Sequence, residues 1–179
     1  MQSANLCRVG AVCAILAGIS RAALIIAPGM VLSHPALETI YLAIDLAIQL
    51  ALLALLTRLG NRLGMWGVAG VIMAITGLLV IRTGERSLFG AAAYSSGAGL
   101  LAIGMAVTTF PFIRVPGLGR LMAILFVMSP ATAIIASALN IASAGLNIAS
   151  AFFSLALIAA GAMLMFEENP RKGNNTRAS

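Results

Sequence analysis

The chain has 179 residues, 61% of them hydrophobic and 9% charged, with a mean hydropathy of +1.05. A soluble domain carries charge on about a quarter of its residues, so this composition excludes an ordinary soluble fold and points to an all-α integral membrane bundle. The formal net charge of +6 does not imply a nucleic-acid partner, because the basic residues fall in short gaps between apolar runs.

A hydrocarbon core about 30 Å thick needs about 20 apolar residues per helix. Applied in chain order, that ruler predicts six transmembrane helices, near 5–27, 36–57, 64–81, 88–110, 119–139 and 143–166, and a polar cytoplasmic tail over 167–179 that reads as disordered. The first begins like a signal peptide, with Arg8 before an apolar run. Arg21 interrupts that run and no small-residue cleavage site follows, so the span reads as uncleaved. Cys7 and Cys13 are too far apart along one helix to form a disulfide, about 9 Å, and read as buried thiols.

The gaps "APGMVLSHP", "RLGNRLG", "RTGERS" and "PFIRVPGLG" carry the helix breakers. Between the last two spans the hexapeptide LNIASA occurs twice in succession, separated by Gly145. A helix unbroken from Gly119 to Phe166 would be about twice the membrane thickness, so a turn is predicted between Asn140 and Gly145. With the N-terminus inside, Arg8, Arg58, Arg62, Arg114, Arg120, Arg171, Lys172 and Arg177 fall on the cytoplasmic side, and Arg82 and Arg86 in outer loops. The positive-inside rule then places both termini in the cytoplasm of a bacterial inner (plasma) membrane.

Small residues mark where helices meet. Gly67, Gly70, Ala74 and Gly77 share one side of the third span, Ala93, Gly97 and Gly104 recur along the fourth, and Asn147, Ser150, Ser154 and Gly161 share a face of the sixth. These stripes read as helix contacts rather than pore linings. Pro130 is predicted to kink the fifth span, its freed carbonyl taken by a nearby Ser or Thr hydroxyl. Trp66 reads as an interfacial anchor.

Within "ETIYLAIDLAIQL", Glu38, Tyr41, Asp45 and Gln49 recur at helical spacing along one side of the second span. Asp45 is predicted near the midplane, where an ionised carboxylate costs about 2.5 to 3.5 kcal/mol and needs a partner, a proton or water. Arg21, on the preceding span, is the candidate partner. The expected site is therefore a cluster of Arg21, Glu38, Tyr41, Asp45 and Gln49 in the outer half of the bundle. It reads either as an ion pair that fixes helix register or as the lining of a cavity for a polar solute or protons. His34 reads as a loop histidine that helps start the second span, with Glu38 too few a companion for a metal site.

Catalytic signatures are missing. "AYSSG" lacks the leading glycine of a serine-nucleophile setting, a second deep carboxylate is absent, and there is neither a Cys-x-x-Cys nor a phosphate-cradling loop. No enzymatic activity, cofactor or metal is expected. A transport-related role, as a small permease, channel or membrane subunit of a transporter, leads. The alternative is a non-transporting accessory or scaffold subunit with the glycine-rich third or fourth helix facing outward as a docking groove. Expected partners are the lipid bilayer, a polar small solute or proton, and a membrane protein partner or a second copy of the chain.

Overall fold

A computed structural model describes residues 2–26, 34–84 and 90–166. Among the described residues there are five α-helices: α1 (Gln2–Ile26), α2 (His34–Gly84), α3 (Gly90–Thr109), α4 (Leu118–Ala138) and α5 (Ala142–Phe166), with a 3-10 turn, Phe110–Arg114, between α3 and α4. All five are long and apolar enough to cross a membrane. The tail over 167–179 and the outer-loop residue Arg86 lie outside the described residues.

Six helices were expected, and the difference lies in α2. Its 51 residues would form a rod about 76 Å long if straight, more than twice a hydrocarbon core. Gly64 interrupts it with φ 61° and ψ −169°, a conformation open to glycine and closed to residues with a Cβ. Space is not what selects glycine here, since a Cβ at this position would meet nothing within 4 Å. The contact that reveals the reversal is remote. Arg82 Nη2 lies 2.6 Å from Asp45 Oδ2, although a straight helix would hold the two residues about 55 Å apart. Asp45 and Arg82 are almost equally distant from Gly64 along the chain, so α2 folds back there into two antiparallel arms, 34–63 and 65–84, which contain the expected second and third spans. Met65 and Trp66 are exposed at the reversal.

Small residues then decide which arm meets which helix. A Cβ on Gly70 would lie 2.6 Å from the Thr108 nitrogen, and one on Gly97 would lie 2.7 Å from the Ile81 nitrogen. Gly104 is equally constrained, 2.5 Å from the Ala74 nitrogen. The second arm of α2 and α3 are thus pressed backbone to backbone, and Thr108 Oγ1, which donates to Gly104 O of its own helix at 2.8 Å, also reaches Gly67 O across the seam at 3.5 Å. On the other side of the bundle α1 lies between the first arm of α2 and α5. Gly10 faces Ala54, while Gly18 faces the Ser154 carbonyl and Gly161 faces the Ala11 carbonyl. α5 continues the ring to α4, where Ser129 Oγ donates to Ala149 O at 2.9 Å and Phe126 meets Phe153 edge-on at 5.5 Å. α3 and α4 close the ring most loosely of all these neighbours.

The turn predicted around Asn140 is a Schellman motif. Asn140 takes φ 57°, its N–H donates to Ser137 O at 3.2 Å, and Ile141 N–H donates to Ala136 O at 3.0 Å, closing the last carbonyls of α4. Gly145 then sits against the Ala136 side chain, where no Cβ fits, so α5 leaves the turn in contact with α4. One local expectation fails. The hydroxyls flanking Pro130 do not take the carbonyl it frees, because Ser129 donates to Ala149 O and Thr132 to Met128 O.

The outer faces of the ring carry exposed Leu16, Leu46, Ile72, Ile134 and Leu155, the distribution expected where lipid replaces water. Replacing Gly70 by Val should destabilise the purified protein by about 1–3 kcal/mol, because the added atoms meet backbone that cannot yield. Gly99→Ala, at a position with nothing within 4 Å, should leave thermal unfolding in detergent unchanged.

Candidate functional site

The ends of several helices converge on one level of the bundle. Arg21 lies in the last turns of α1, Arg82 in the last turn of α2, and Tyr41, Tyr94 and Ser150 near the starts of α2, α3 and α5. Antiparallel neighbours bring these ends together, and they enclose a cavity of about 380 Å³ lined by Arg21, Tyr41, Asp45, Arg82, Tyr94, Asn147 and Ser150 among others.

Asp45 is paired here, but with a different arginine from the one expected. Arg82 presents two nitrogens to the same carboxylate oxygen, Nη2 at 2.6 Å and Nε at 2.7 Å. Arg82 was expected in an outer loop; it is instead the last basic residue of α2, carried back to Asp45 by the reversal at Gly64. Asp45 lies about 28 Å along the first arm from Gly64 and about 16 Å from the start of α2, so the pair stands in the half of the arm remote from the reversal.

Arg21 is left with neutral company. Its Nη2 donates to Ser150 Oγ at 3.4 Å, its guanidinium carbon lies 5.0 Å from the centroid of the Phe153 ring, and its Nε is buried with no acceptor. Phe153 is held in turn by Phe126, so an aromatic pair forms the floor beneath the guanidinium. Cation–π attraction contributes about 2 kcal/mol where the cation is desolvated, which retains an arginine here but leaves its Nε–H unsatisfied. Among the described residues no carboxylate lies within ion-pair distance of Arg21.

Three of the five expected site residues, Arg21, Tyr41 and Asp45, therefore line one cavity. Glu38 lies one turn above, exposed, and Gln49 one turn below, half-buried; neither belongs to the lining. Eleven residues complete about three turns, so Glu38 and Gln49 do share the side of Asp45, but they stand about 10 Å and 6 Å from it along the axis, above and below the level of the cavity. Sequence reasoning missed Arg82 and Tyr94. A signal for Arg82 existed in the near-equal distances of Asp45 and Arg82 from the helix-breaking Gly64.

Among the described residues the lining carries two arginines and one aspartate, a net positive surface beside two phenol groups. Such a chamber can hold an anion by charge-assisted hydrogen bonds, since the bidentate geometry of a guanidinium matches carboxylate and phosphate oxygens. Among the described residues there is no group of His, Cys, Asp and Glu suited to a metal ion. Comparison with known proteins finds no family model, curated protein or solved structure that matches this chain.

The ion pair makes a test of the corrected partner possible. Asp45→Asn and Arg82→Gln should each destabilise the protein by about 3 kcal/mol by breaking a buried pair. The double variant should recover about 1–2 kcal/mol of the summed loss. Arg21→Gln combined with Asp45→Asn should show weaker coupling in the same thermal or chemical unfolding measurement.

Proposed function

We propose that the chain is a small multi-pass protein of a bacterial inner membrane, with six crossings, both termini cytoplasmic, and a transport-related role in which the Arg21 cavity takes up an anion from the outer side. The observation that carries this reading is the charge balance of the lining. Asp45 is engaged by Arg82, and Arg21 faces the same space with no carboxylate of its own among the described residues.

Six crossings are supported by the two arms of α2, each about 30 Å or longer at 1.5 Å per residue. Orientation is supported at the opposite end. Arg58 and Arg62 precede Gly64, and Arg58 Nη1 donates to Leu164 O at the C-terminal end of α5, where the helix dipole favours a cation. With that end inside, the Arg21 cavity belongs to the outer half.

The accessory-subunit reading required an outward glycine groove on the third or fourth span. Gly70, Gly77, Gly97 and Gly104 are instead consumed by the contact between the second arm of α2 and α3. That arrangement favours the cavity as the functional feature.

A single cysteine at Asn147, in a background with Cys7 and Cys13 replaced by Ser, should react with a membrane-impermeant maleimide applied to intact cells, and excess phosphate or carboxylate anions should slow the reaction. Arg21→Gln should remove the anion protection, by about tenfold in apparent affinity, while the protein still folds. Labelling only from the cytoplasmic side would reverse the topology. Reaction without any anion protection would return the accessory role to first place.

A further inference from the structure

The polar cavity does not end at Arg21. A second space of about 370 Å³ shares Arg21, Ile81, Tyr94, Leu101 and Ser150 with it and continues between α3 and α4. Its character changes at once. Beyond the shared residues it is walled by Ala98, Gly99 and Ala102 of α3, Pro130 and Ala133 of α4, and Leu146 of α5. Small side chains on both facing helices keep this seam open, in agreement with the loose contact between α3 and α4. Ile103 and Ile134 also line it and are 46% and 65% exposed, so the groove reaches the apolar outer face of the ring and opens sideways.

Resting on the reading of the Arg21 cavity as an anion site, we infer that the two spaces form one amphiphile site that binds an anionic membrane lipid, with its headgroup phosphate on Arg21 and an acyl chain in the groove between α3 and α4. Charge complementarity argues for the headgroup. Among the described residues the lining carries excess positive charge, and Arg21 faces the space with a serine and a ring as its contacts and no carboxylate, which leaves its charge to be met by a phosphate. Depth argues for the same occupant. Arg21 is about 8 Å from the end of α1, and the polar cavity lies at that end of the bundle, so a headgroup entering from the nearer interface has a short path to the guanidinium. The groove argues against a small hydrophilic anion alone, which would leave apolar walls to be wetted or empty. An acyl chain entering from the bilayer exchanges one apolar surrounding for another, and its route needs no opening of the α2–α3 glycine seam.

The test uses the full chain purified in detergent and titrated separately with dioleoyl phosphatidylglycerol, dioleoyl phosphatidylcholine and glycerol 3-phosphate, with bound molecules counted by native mass spectrometry. Phosphatidylglycerol should bind about tenfold or more tightly than phosphatidylcholine, and Arg21→Gln should erase that preference. Should Arg21→Gln fail to fold, Gly99→Leu carries the test. Its added side chain starts in open space and fills the groove, so it should weaken phosphatidylglycerol binding about fivefold or more without loss of thermal stability. Equal binding of the two lipids overturns the lipid assignment. Binding of glycerol 3-phosphate as strong as that of phosphatidylglycerol, with Gly99→Leu neutral, overturns it too while leaving the anion site intact. If the parent binds none of the three, the anion-site reading falls together with the lipid one.

Discussion

Asp45 and Arg82 can meet only if the chain turns back at Gly64, and the rest of the bundle follows from that closure. A carboxylate and a guanidinium placed separately in hydrocarbon would each cost a few kcal/mol. Brought within 2.6 Å they neutralise one another and fix the register of the two arms of α2. With that register set, the glycines of the second arm stand opposite the glycines of α3, and the first arm offers Ala54 to Gly10 of α1. Buried charge therefore selects alignment, while small residues supply the area of contact.

The same pairing determines what remains. Asp45 could have served Arg21, the candidate on the preceding span, and the site would then have been a closed pair. Because Arg82 engages it, Arg21 is held by a serine hydroxyl and an aromatic ring, partners that tolerate a cation without cancelling its charge. A polar chamber with surplus positive charge and an adjoining apolar groove are the result. The groove would not exist if α3 and α4 met as closely as α3 and the second arm of α2.

Apolar runs, breakers and small-residue stripes were legible in the sequence because they act locally: span positions follow from length, and Asn140 with Gly145 marks a turn. The third-span and fourth-span glycines were readable as contacts, though not as contacts with one another. Long-range pairing was less legible. Arg82 looked like a loop residue because a short polar gap follows it, and only the reversal at Gly64 brings it beside Asp45. The two LNIASA copies make the limit explicit. In the first, Asn140 takes a left-handed turn conformation; in the second, Asn147 is helical and faces the cavity. Identical residues take different backbone states because Asn140 closes the end of α4, whereas Asn147 is already inside α5.

The separation between Arg21 and its partners also sets an order on biogenesis. The α2 ion pair links residues 37 apart, whereas Arg21 waits for Ser150, 129 residues later. A ribosome adding residues from the N-terminus therefore delivers the hairpin long before it delivers the floor beneath Arg21. During that interval α1 must hold a lone cation among lipids or at the translocon, with its Gly18 face uncovered. Arrival of α5, the last of the described helices in chain order, covers that face and brings Ser150 and Phe153 to Arg21, so the site is completed only after the other four helices have been made.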